Sequence, residues 1–221
     1  MRLAPILVPL GVVLAVGGGV MAYARLRTSA PAPDMAHLDA AHITVLPRHP
    51  VTPAMLADTS IESQKLAPYL KLTDIHGKSV QIGGAGPRPQ FVYFVLDGCP
   101  CSVNAQPLFN ELYRQFGDKV DFVAITNADR ARAIDYAGTT TVLHPMVSDP
   151  GLDVMKAYGA RESTYNVIVR PDGRIDRMWP GYSQDILKDI EARLARLVGE
   201  KSQPIDLSLA PKDKLSGCFF Y

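Results

Sequence analysis

The stretch FVYFVLDGCPCSVNAQP, from Phe91 to Pro107, joins an apolar, β-prone run to a closely spaced pair of cysteines. The run stops at Gly98, and Cys99 and Cys101 then open a segment whose pattern predicts a helix. A thiol at a helix N-terminus lies beside unpaired N–H groups and the positive end of the helix dipole, and both favour the reactive thiolate. Two of the three cysteines of the chain fall in this junction. The first hypothesis is therefore thiol redox chemistry.

The composition is that of a folded chain with a small number of special features. In 221 residues, 47% are hydrophobic and 20% are charged, which suggests one globular domain with appendages or two small domains. The formal charge of +1, without a local cluster of Lys and Arg, gives no indication of a nucleic-acid partner. Three cysteines are too few for a disulfide-stapled scaffold, and the odd count leaves at least one unpaired or paired between chains. We predict neither a cofactor nor a resident metal.

The N-terminal segment, residues 1–27, is predicted to be a membrane anchor or a signal segment. Residues 3–24 contain no charge, and as a helix they would span roughly 33 Å at about 1.5 Å per residue, enough to cross a bilayer. The alternative is a cleaved signal peptide, because Ala22-Tyr-Ala24 resembles a small-residue cleavage site. An uncleaved anchor is the preferred interpretation. Either form would place the following domain on the extracytoplasmic, periplasmic side of the membrane.

Residues 28–62 are rich in Pro and Ala and show no sustained periodicity, which predicts a linker that holds the domain away from the membrane. The segment contains His37, His42 and His49. A metal site made from these histidines would need convergent geometry that a flexible linker does not supply.

Strand and helix patterns alternate along the rest of the chain. A hairpin is predicted near residues 69–82, and residues 91–96, apolar on both faces, predict a central buried strand. Pro107 lies inside the helix that follows the cysteines, and Ser183 is placed to cap the last one. The order from residue 91 is β-α-β-α-β-α-β-β-α, with boundaries near 91–96, 100–116, 120–126, 130–137, 144–148, 151–158, 165–169, 174–179 and 183–198. The predicted class is α/β, a central mixed β-sheet flanked by helices on both faces.

These residues resemble a known family. The hairpin motif Leu72-Thr-Asp-Ile-His-Gly77-Lys, the strand into Cys99-Pro-Cys-Ser102, and the run from Val167 to Ile175 are similar to the redoxin branch of the thioredoxin-like superfamily. That branch includes alkyl hydroperoxide reductase/thiol-specific antioxidant proteins and membrane-tethered thiol-disulfide oxidoreductases. The resemblance covers about residues 63–198 and implies a thioredoxin-like domain there, followed by a tail of residues 199–221 that contains Cys218.

The resemblance also implies roles for individual residues. A proline commonly lies eight positions after the first active-site cysteine of the family, and the spacing from Cys99 to Pro107 agrees with Cys99 as the nucleophile. Ser102 then takes the place of the usual second cysteine, and Cys101 is an extra thiol. Thr164 stands where the family usually has a cis-proline beside its substrate groove.

Three further positions near the cysteines are interpreted through the same resemblance. Pro100 is assigned to the substrate groove together with Ser102 and Thr164. A non-proline cis bond before Thr164 would cost about 3–4 kcal/mol, so a trans form is expected there. The peroxidase pattern of the family asks for Thr or Ser where this chain has Leu96.

The first hypothesis for the thiols is a redox enzyme that reduces disulfides or peroxides. Cys99 attacks as thiolate, and either Cys101 or Cys218 resolves the product. A disulfide between Cys99 and Cys101 would close a small, strained ring, whereas Cys218 would have to be brought in by a mobile tail. The alternative for Cys218 is an incidental thiol in an apolar tip. The implied partners are a thiol or disulfide protein, or a peroxide, and the membrane through the N-terminal helix.

Two other functions are compatible with the same residues. Two close thiols can hold a soft ion such as Cu(I), although related copper-delivery proteins add a histidine near the position of Thr164, where this chain has none. His144 is interpreted as a packed or surface residue. The remaining alternative is a degenerate thioredoxin fold that serves as a binding or assembly module with idle cysteines.

Overall fold

A computed structural model describes residues 49–221 of the protein. Within them the helices and strands are α1 Pro53–Glu62, β1 Leu70–Thr73, β2 Ser79–Ile82, β3 Gln90–Val95, α2 Pro100–Phe116, β4 Asp121–Thr126, α3 Arg130–Thr139, β5 Met146–Ser148, α4 Asp153–Ala157, β6 Asn166–Val169, β7 Ile175–Trp179 and α5 Gln184–Val198. None of these helices is long and apolar enough to cross a membrane. The predicted anchor or signal segment, residues 1–27, lies outside the described residues.

The main sheet has five strands in the order β5-β4-β3-β6-β7. Strand β3 is its centre, parallel to β4 and antiparallel to β6, and all six of its residues are buried. This confirms the central strand that the apolar run predicted. A strand buried on both faces cannot alternate with polar residues, which is why the run is apolar at every position from Phe91 to Val95.

Helices cover both faces of the sheet and form two hydrophobic cores. Phe91, Tyr93 and Val95 of β3 point to one face, where they join side chains of α2, α3 and α5. Val92 and Phe94 point to the other face, where they join α4 and the inner strands. The two-residue period of a strand thus divides β3 between the cores, and the predicted α/β class is confirmed.

The predicted hairpin exists but forms a sheet of its own. Strands β1 and β2 pair antiparallel in register from Leu70 with Ile82 to Thr73 with Ser79. They belong to a separate two-stranded sheet, and Leu70, Leu72 and Val80 pack against the second core.

Part of the predicted linker is structured, which corrects the interpretation of residues 49–62. Thr52 caps α1 by accepting a hydrogen bond from the Met55 N–H, and Pro53 occupies the first turn, where its missing N–H costs nothing. Met55 packs against the second core. The short helix was missed because its apolar residues do not form a clear stripe in the sequence.

Helix boundaries differ from the prediction at α3. The helix continues through Gly138 to Thr139 instead of ending before the glycine. Gly138 is not among the glycines with a positive φ, so its backbone continues the helix, and a Cβ there would meet nothing within 4 Å. A glycine ends a helix when its backbone adopts the left-handed conformation, which a sequence does not show.

The last helix, α5, begins at the residue that the sequence predicted. The Ser183 side chain accepts a hydrogen bond from the Ile186 N–H, and Gly199, with φ of +73°, ends the helix in the left-handed conformation. Ser183 itself is fully buried. The cap therefore satisfies a donor that water cannot reach.

Replacing Ser183 by Ala should lower the free energy of unfolding by about 1 kcal/mol, because the N–H of Ile186 loses its partner. Urea denaturation followed by circular dichroism measures this change. Ser79→Ala, at an exposed strand position, is the matched control and should change the free energy of unfolding by less than about 0.5 kcal/mol. Equal effects of the two substitutions would contradict the capping role.

Candidate active site

The two cysteines lie at the turn from β3 into α2. Gly98 has a φ of +78°, a conformation that residues with a Cβ rarely adopt, and it lets the chain reverse directly before Cys99. Cys99 is the N-cap of α2 and its side chain makes no capping hydrogen bond. The Ser102 hydroxyl instead accepts a hydrogen bond from the Leu96 N–H at 3.0 Å, which fastens the first turn of the helix to the end of the strand. The sulfur of Cys99 is thus left available for other donors.

Those donors come from three parts of the chain. The Ser163 hydroxyl donates to the Cys99 Sγ at 3.4 Å, and the Cys218 backbone N–H approaches the same sulfur at 3.4 Å. The thiols of Cys101 and Cys218 also hydrogen-bond to Cys99. Cys99 is only 1% exposed. This sulfur is therefore held in a nearly closed shell of donors.

The shell stabilises the anionic form of Cys99. The hydrogen bond from the Cys101 thiol lowers the pKa of Cys99 most, and those from Cys218 and Ser163 lower it further. Burial opposes them, yet the pKa of Cys99 falls to about 3. This agrees with the reactive thiolate predicted at the helix N-terminus, and the largest contribution comes from the neighbouring Cys101 thiol.

The other two thiols keep their protons. Cys101, fully buried, has its pKa raised well above the ordinary thiol range because it donates to Cys99 and is desolvated. Burial, followed by the same donation to Cys99, raises the pKa of Cys218 to about 11. One anion and two neutral thiols therefore share the site, which is the charge state needed for a nucleophile with waiting resolving groups.

Hydrogen bonds to the main sheet hold the loop that carries Ser163. Thr164 has a φ of +64°, its N–H donates to the Phe94 carbonyl at 2.6 Å, and its own carbonyl accepts from the Asn166 side chain at 2.8 Å. The described residues contain no cis peptide bond, so the expected trans form before Thr164 is confirmed. Sequence reasoning missed Ser163, although its position next to Thr164 was the available signal.

The C-terminal tail lies over the Cys99 sulfur. Residues 216–220 run beside the loop of Ser163 and place Cys218, one of the two candidate resolving residues, at Cys99. His49, assigned to a flexible linker, lies with its Nε2 4.0 Å from the Cys218 sulfur. No sequence signal indicated this contact, because it joins residues 169 positions apart.

The three residues predicted to line a substrate groove differ in their exposure to solvent. Pro100 is exposed at the first turn of α2. Ser102 and Thr164 are fully buried, and the hydroxyl of Ser102 is used inside the protein. Neither Ser102 nor Thr164 is exposed to solvent in this arrangement, and their assignment to a substrate groove stays a prediction.

Among the described residues, no group of three or more His, Cys, Asp or Glu side chains is arranged so that it could hold a metal ion. His144 is buried, and its ring contacts the Tyr93 hydroxyl at 3.1 Å. Burial lowers the pKa of His144 to about 4, so the ring is neutral at physiological pH. His144 is thus a packed residue, as predicted.

Replacing Cys101 by Ala should raise the pKa of Cys99, because the strongest hydrogen bond to its thiolate is lost. Ser163→Ala should raise the same pKa by less, because the Ser163 hydroxyl is a lesser contributor. The rate of alkylation against pH, with a small haloacetamide, measures both. A pKa of Cys99 near that of free cysteine, about 8.5, already in the unmodified protein would contradict the donor shell.

The thiolate of Cys99 should also make stability depend on pH. Its pKa in the folded protein is below that in the unfolded chain, so its stabilising contribution is complete above the unfolded pKa of about 8.5. The contribution is lost as the pH falls towards the folded pKa of about 3. The difference in free energy of unfolding between the unmodified protein and Cys99→Ser should therefore increase from pH 4 to pH 8, as urea denaturation would measure. A constant difference would contradict the lowered pKa.

Comparison with known proteins agrees with this site. The family model described as Redoxin matches residues 61–192, more than half of the chain. Thiol-disulfide oxidoreductase ResA from Bacillus cereus is 23% identical over 120 residues, which cover 53% of this chain and 69% of that protein. Methylamine utilization protein MauD from Paracoccus versutus is 26% identical over 125 residues, covering 55% and 60%.

A solved structure shows the same fold. The thioredoxin domain of a thiol-disulfide oxidoreductase from Bacteroides vulgatus superposes with a TM-score of 0.52 at 18% identity, covering 60% of this chain and 97% of that one. The fold is thus thioredoxin-like, as the resemblance implied. With a cysteine thiolate at the start of α2 and a family match that spans the whole sheet, the chain belongs to the Redoxin family.

Proposed function

We propose that this protein is a thiol-disulfide oxidoreductase in which Cys99 is the nucleophile. The observation that carries the proposal is the shell of donors around the Cys99 sulfur, which holds it as a thiolate while two further thiols touch it. A thiolate with nearby neutral thiols is the arrangement that disulfide exchange requires. The names of the relatives ResA and the Bacteroides vulgatus protein support the same activity.

The reaction needs two exchanges. The Cys99 thiolate attacks one sulfur of a partner's disulfide, forms a mixed disulfide and releases the other sulfur as thiolate. A second thiol of this chain, Cys101 or Cys218, then attacks the Cys99 sulfur and releases the reduced partner. The partner gains two electrons and the enzyme becomes a disulfide, which an external dithiol reduces before the next turnover.

Peroxide reduction is a further possibility for the same nucleophile, but the residues around it favour disulfides. In that reaction Cys99 would attack the O–O bond and become a sulfenic acid, and a resolving thiol would release water. Leu96 stands at the position where the peroxidase pattern has a hydroxyl. The partner that we propose is therefore a protein with a thiol or disulfide.

We also propose that the domain works outside the cytoplasm, tethered to the membrane by the N-terminal segment. The uncharged stretch of residues 3–24 supports this, and a disulfide chemistry of this kind suits an oxidising compartment. A non-catalytic binding or assembly module would not need the hydrogen-bond donors around the Cys99 sulfur, so this alternative explains less of the site.

Replacing Cys99 by Ser should reduce the rate of reduction of a model disulfide to that of the reaction without enzyme, because a serine hydroxyl is not ionised at neutral pH. Insulin reduction by the protein with dithiothreitol as the electron donor measures this rate. Ser79→Ala is the matched control and should keep the full rate. An unchanged rate in Cys99→Ser would overturn the assignment of the nucleophile.

A further inference from the structure

We propose that residues 216–220, here called the tail strand, occupy the place of a partner's chain and deliver Cys218 to Cys99 as the resolving thiol. The partner must displace the tail strand to reach Cys99, and the returning strand then releases it. This inference rests on the proposed function and deepens it, since it names the resolving thiol and the form in which the partner binds.

One side of the tail strand pairs with the loop beside the nucleophile. The Ser163 N–H donates to the Cys218 carbonyl at 2.9 Å, and the Gly217 N–H donates to the Ser163 carbonyl at 3.0 Å. The Phe220 N–H donates to the Arg161 carbonyl at 2.9 Å. These are bonds of backbone to backbone, so any extended chain could replace the tail strand here.

The other side of the tail strand is held by the segment that precedes α1. The Ser216 N–H donates to the His49 carbonyl at 2.7 Å, and Val51 donates to the Lys214 carbonyl at 3.0 Å. The Ser216 hydroxyl also donates to the buried Glu162 carboxylate at 2.7 Å. The tail strand is therefore seated in a slot with two walls, and this geometry does not arise from a loose end that packs by chance.

The slot leads directly to the nucleophile. The Cys218 N–H lies 3.4 Å from the Cys99 sulfur, and Cys99 is almost without exposure. A partner's disulfide cannot approach a sulfur that is covered in this way. Opening the slot is therefore a condition for the first exchange, in which the Cys99 thiolate attacks the disulfide of the cysteine that the partner's strand brings into the slot.

The slot also restricts which residue type can precede the cysteine of the strand that it holds. A Cβ on Gly217 would lie 1.8 Å from the Ser163 hydroxyl oxygen and 2.9 Å from the Ser163 carbonyl oxygen. Both distances are too short for a carbon atom, so a strand in this register needs glycine at that position. The partner class is accordingly an extended segment that contains Gly-Cys, with the cysteine in a disulfide.

The resolving step is a second thiol-disulfide exchange, between Cys218 and the mixed disulfide at Cys99. The Cys218 thiol gives up its proton, which the His49 ring nitrogen 4.0 Å away can accept in the tautomer that leaves this nitrogen unprotonated. The Cys218 sulfur then bonds to the Cys99 sulfur of the mixed disulfide. The bond from Cys99 to the partner breaks, and the partner leaves as thiolate. Cys99 and Cys218 end as a disulfide, and an external dithiol supplies the two electrons that restore them.

The tail strand lies outside the stretch that defines the family. The Redoxin match ends at residue 192, and the strand begins 24 residues later. The slot is built partly from the matched domain, at Arg161 to Ser163, and partly from residues before it, at His49 and Val51. The slot and the tail strand thus include residues on both sides of the matched stretch.

The test uses Gly217→Ala in the full-length protein, because the added Cβ should force the tail strand out of the slot while all three cysteines remain. Gly138→Ala is the matched control, since a Cβ at Gly138 meets nothing within 4 Å. The first measurement is alkylation of Cys99 by a bulky maleimide, read by peptide mass spectrometry. Alkylation should become about tenfold faster or more in Gly217→Ala, the factor expected when one or two backbone hydrogen bonds are lost. It should stay unchanged in Gly138→Ala.

The second measurement identifies the resolving thiol. A synthetic peptide with the sequence of residues 214–220, carried as its mixed disulfide with glutathione, is the substrate. Cys218→Ser keeps the strand but removes its thiol, and it should accumulate the mixed disulfide between Cys99 and the peptide. The oxidised, unmodified protein should contain a Cys99–Cys218 disulfide in its peptide map.

Each outcome decides the inference. Equal alkylation of Cys99 in Gly217→Ala and in the unmodified protein would overturn the displaced strand, and a Cys99–Cys101 disulfide in the oxidised protein would overturn Cys218 as the resolving thiol. Either result would leave the proposed function standing if the peptide is still reduced. Failure of the proposed function looks different, because no variant with Cys99 intact, Gly217→Ala included, would then reduce the peptide at all.

Discussion

The structure depends on a sulfur that is kept anionic inside the protein. An isolated charge in such a place is costly, and it persists only where hydrogen-bond donors replace the water that it has lost. Here the donors come from the start of α2, from the loop before β6 and from the tail, so three distant parts of the chain must meet at Cys99. Gly98 and Thr164, which directly precede Cys99 and follow Ser163, both have a positive φ.

The architecture was accessible from the sequence because its signals are local. The apolar run of β3 and the serine cap of α5 each depend on residues within a few positions, and both were predicted. Helix α1 was missed because its packing, not its pattern, stabilises it. The continuation of α3 through Gly138 was missed because a glycine signals a stop only when its backbone turns left-handed, which no sequence shows.

The site was only half visible in the sequence. Cys99 was found from its position between strand and helix, and the roles of Cys101 and Cys218 were posed as alternatives. The contacts of His49 and Ser163 were not found, since contacts across 169 and 64 positions depend on the whole fold. Sequence patterns also placed Ser102 in a groove, although its hydroxyl serves the turn below it. Residue type and spacing identify a nucleophile, whereas its donors are assembled by tertiary structure.

The near-complete burial of Cys99 has a consequence for the lifetime of the protein. A thiolate that meets oxidants repeatedly passes from sulfenic to sulfinic acid, a step that is irreversible for almost all proteins. With the tail seated, Cys99 is 1% exposed, and in the resolving role that we propose for Cys218 a first oxidation of Cys99 would end in a reducible disulfide. The same covering that restricts partners therefore also protects the nucleophile from permanent damage between encounters, so selectivity and durability share one physical cause.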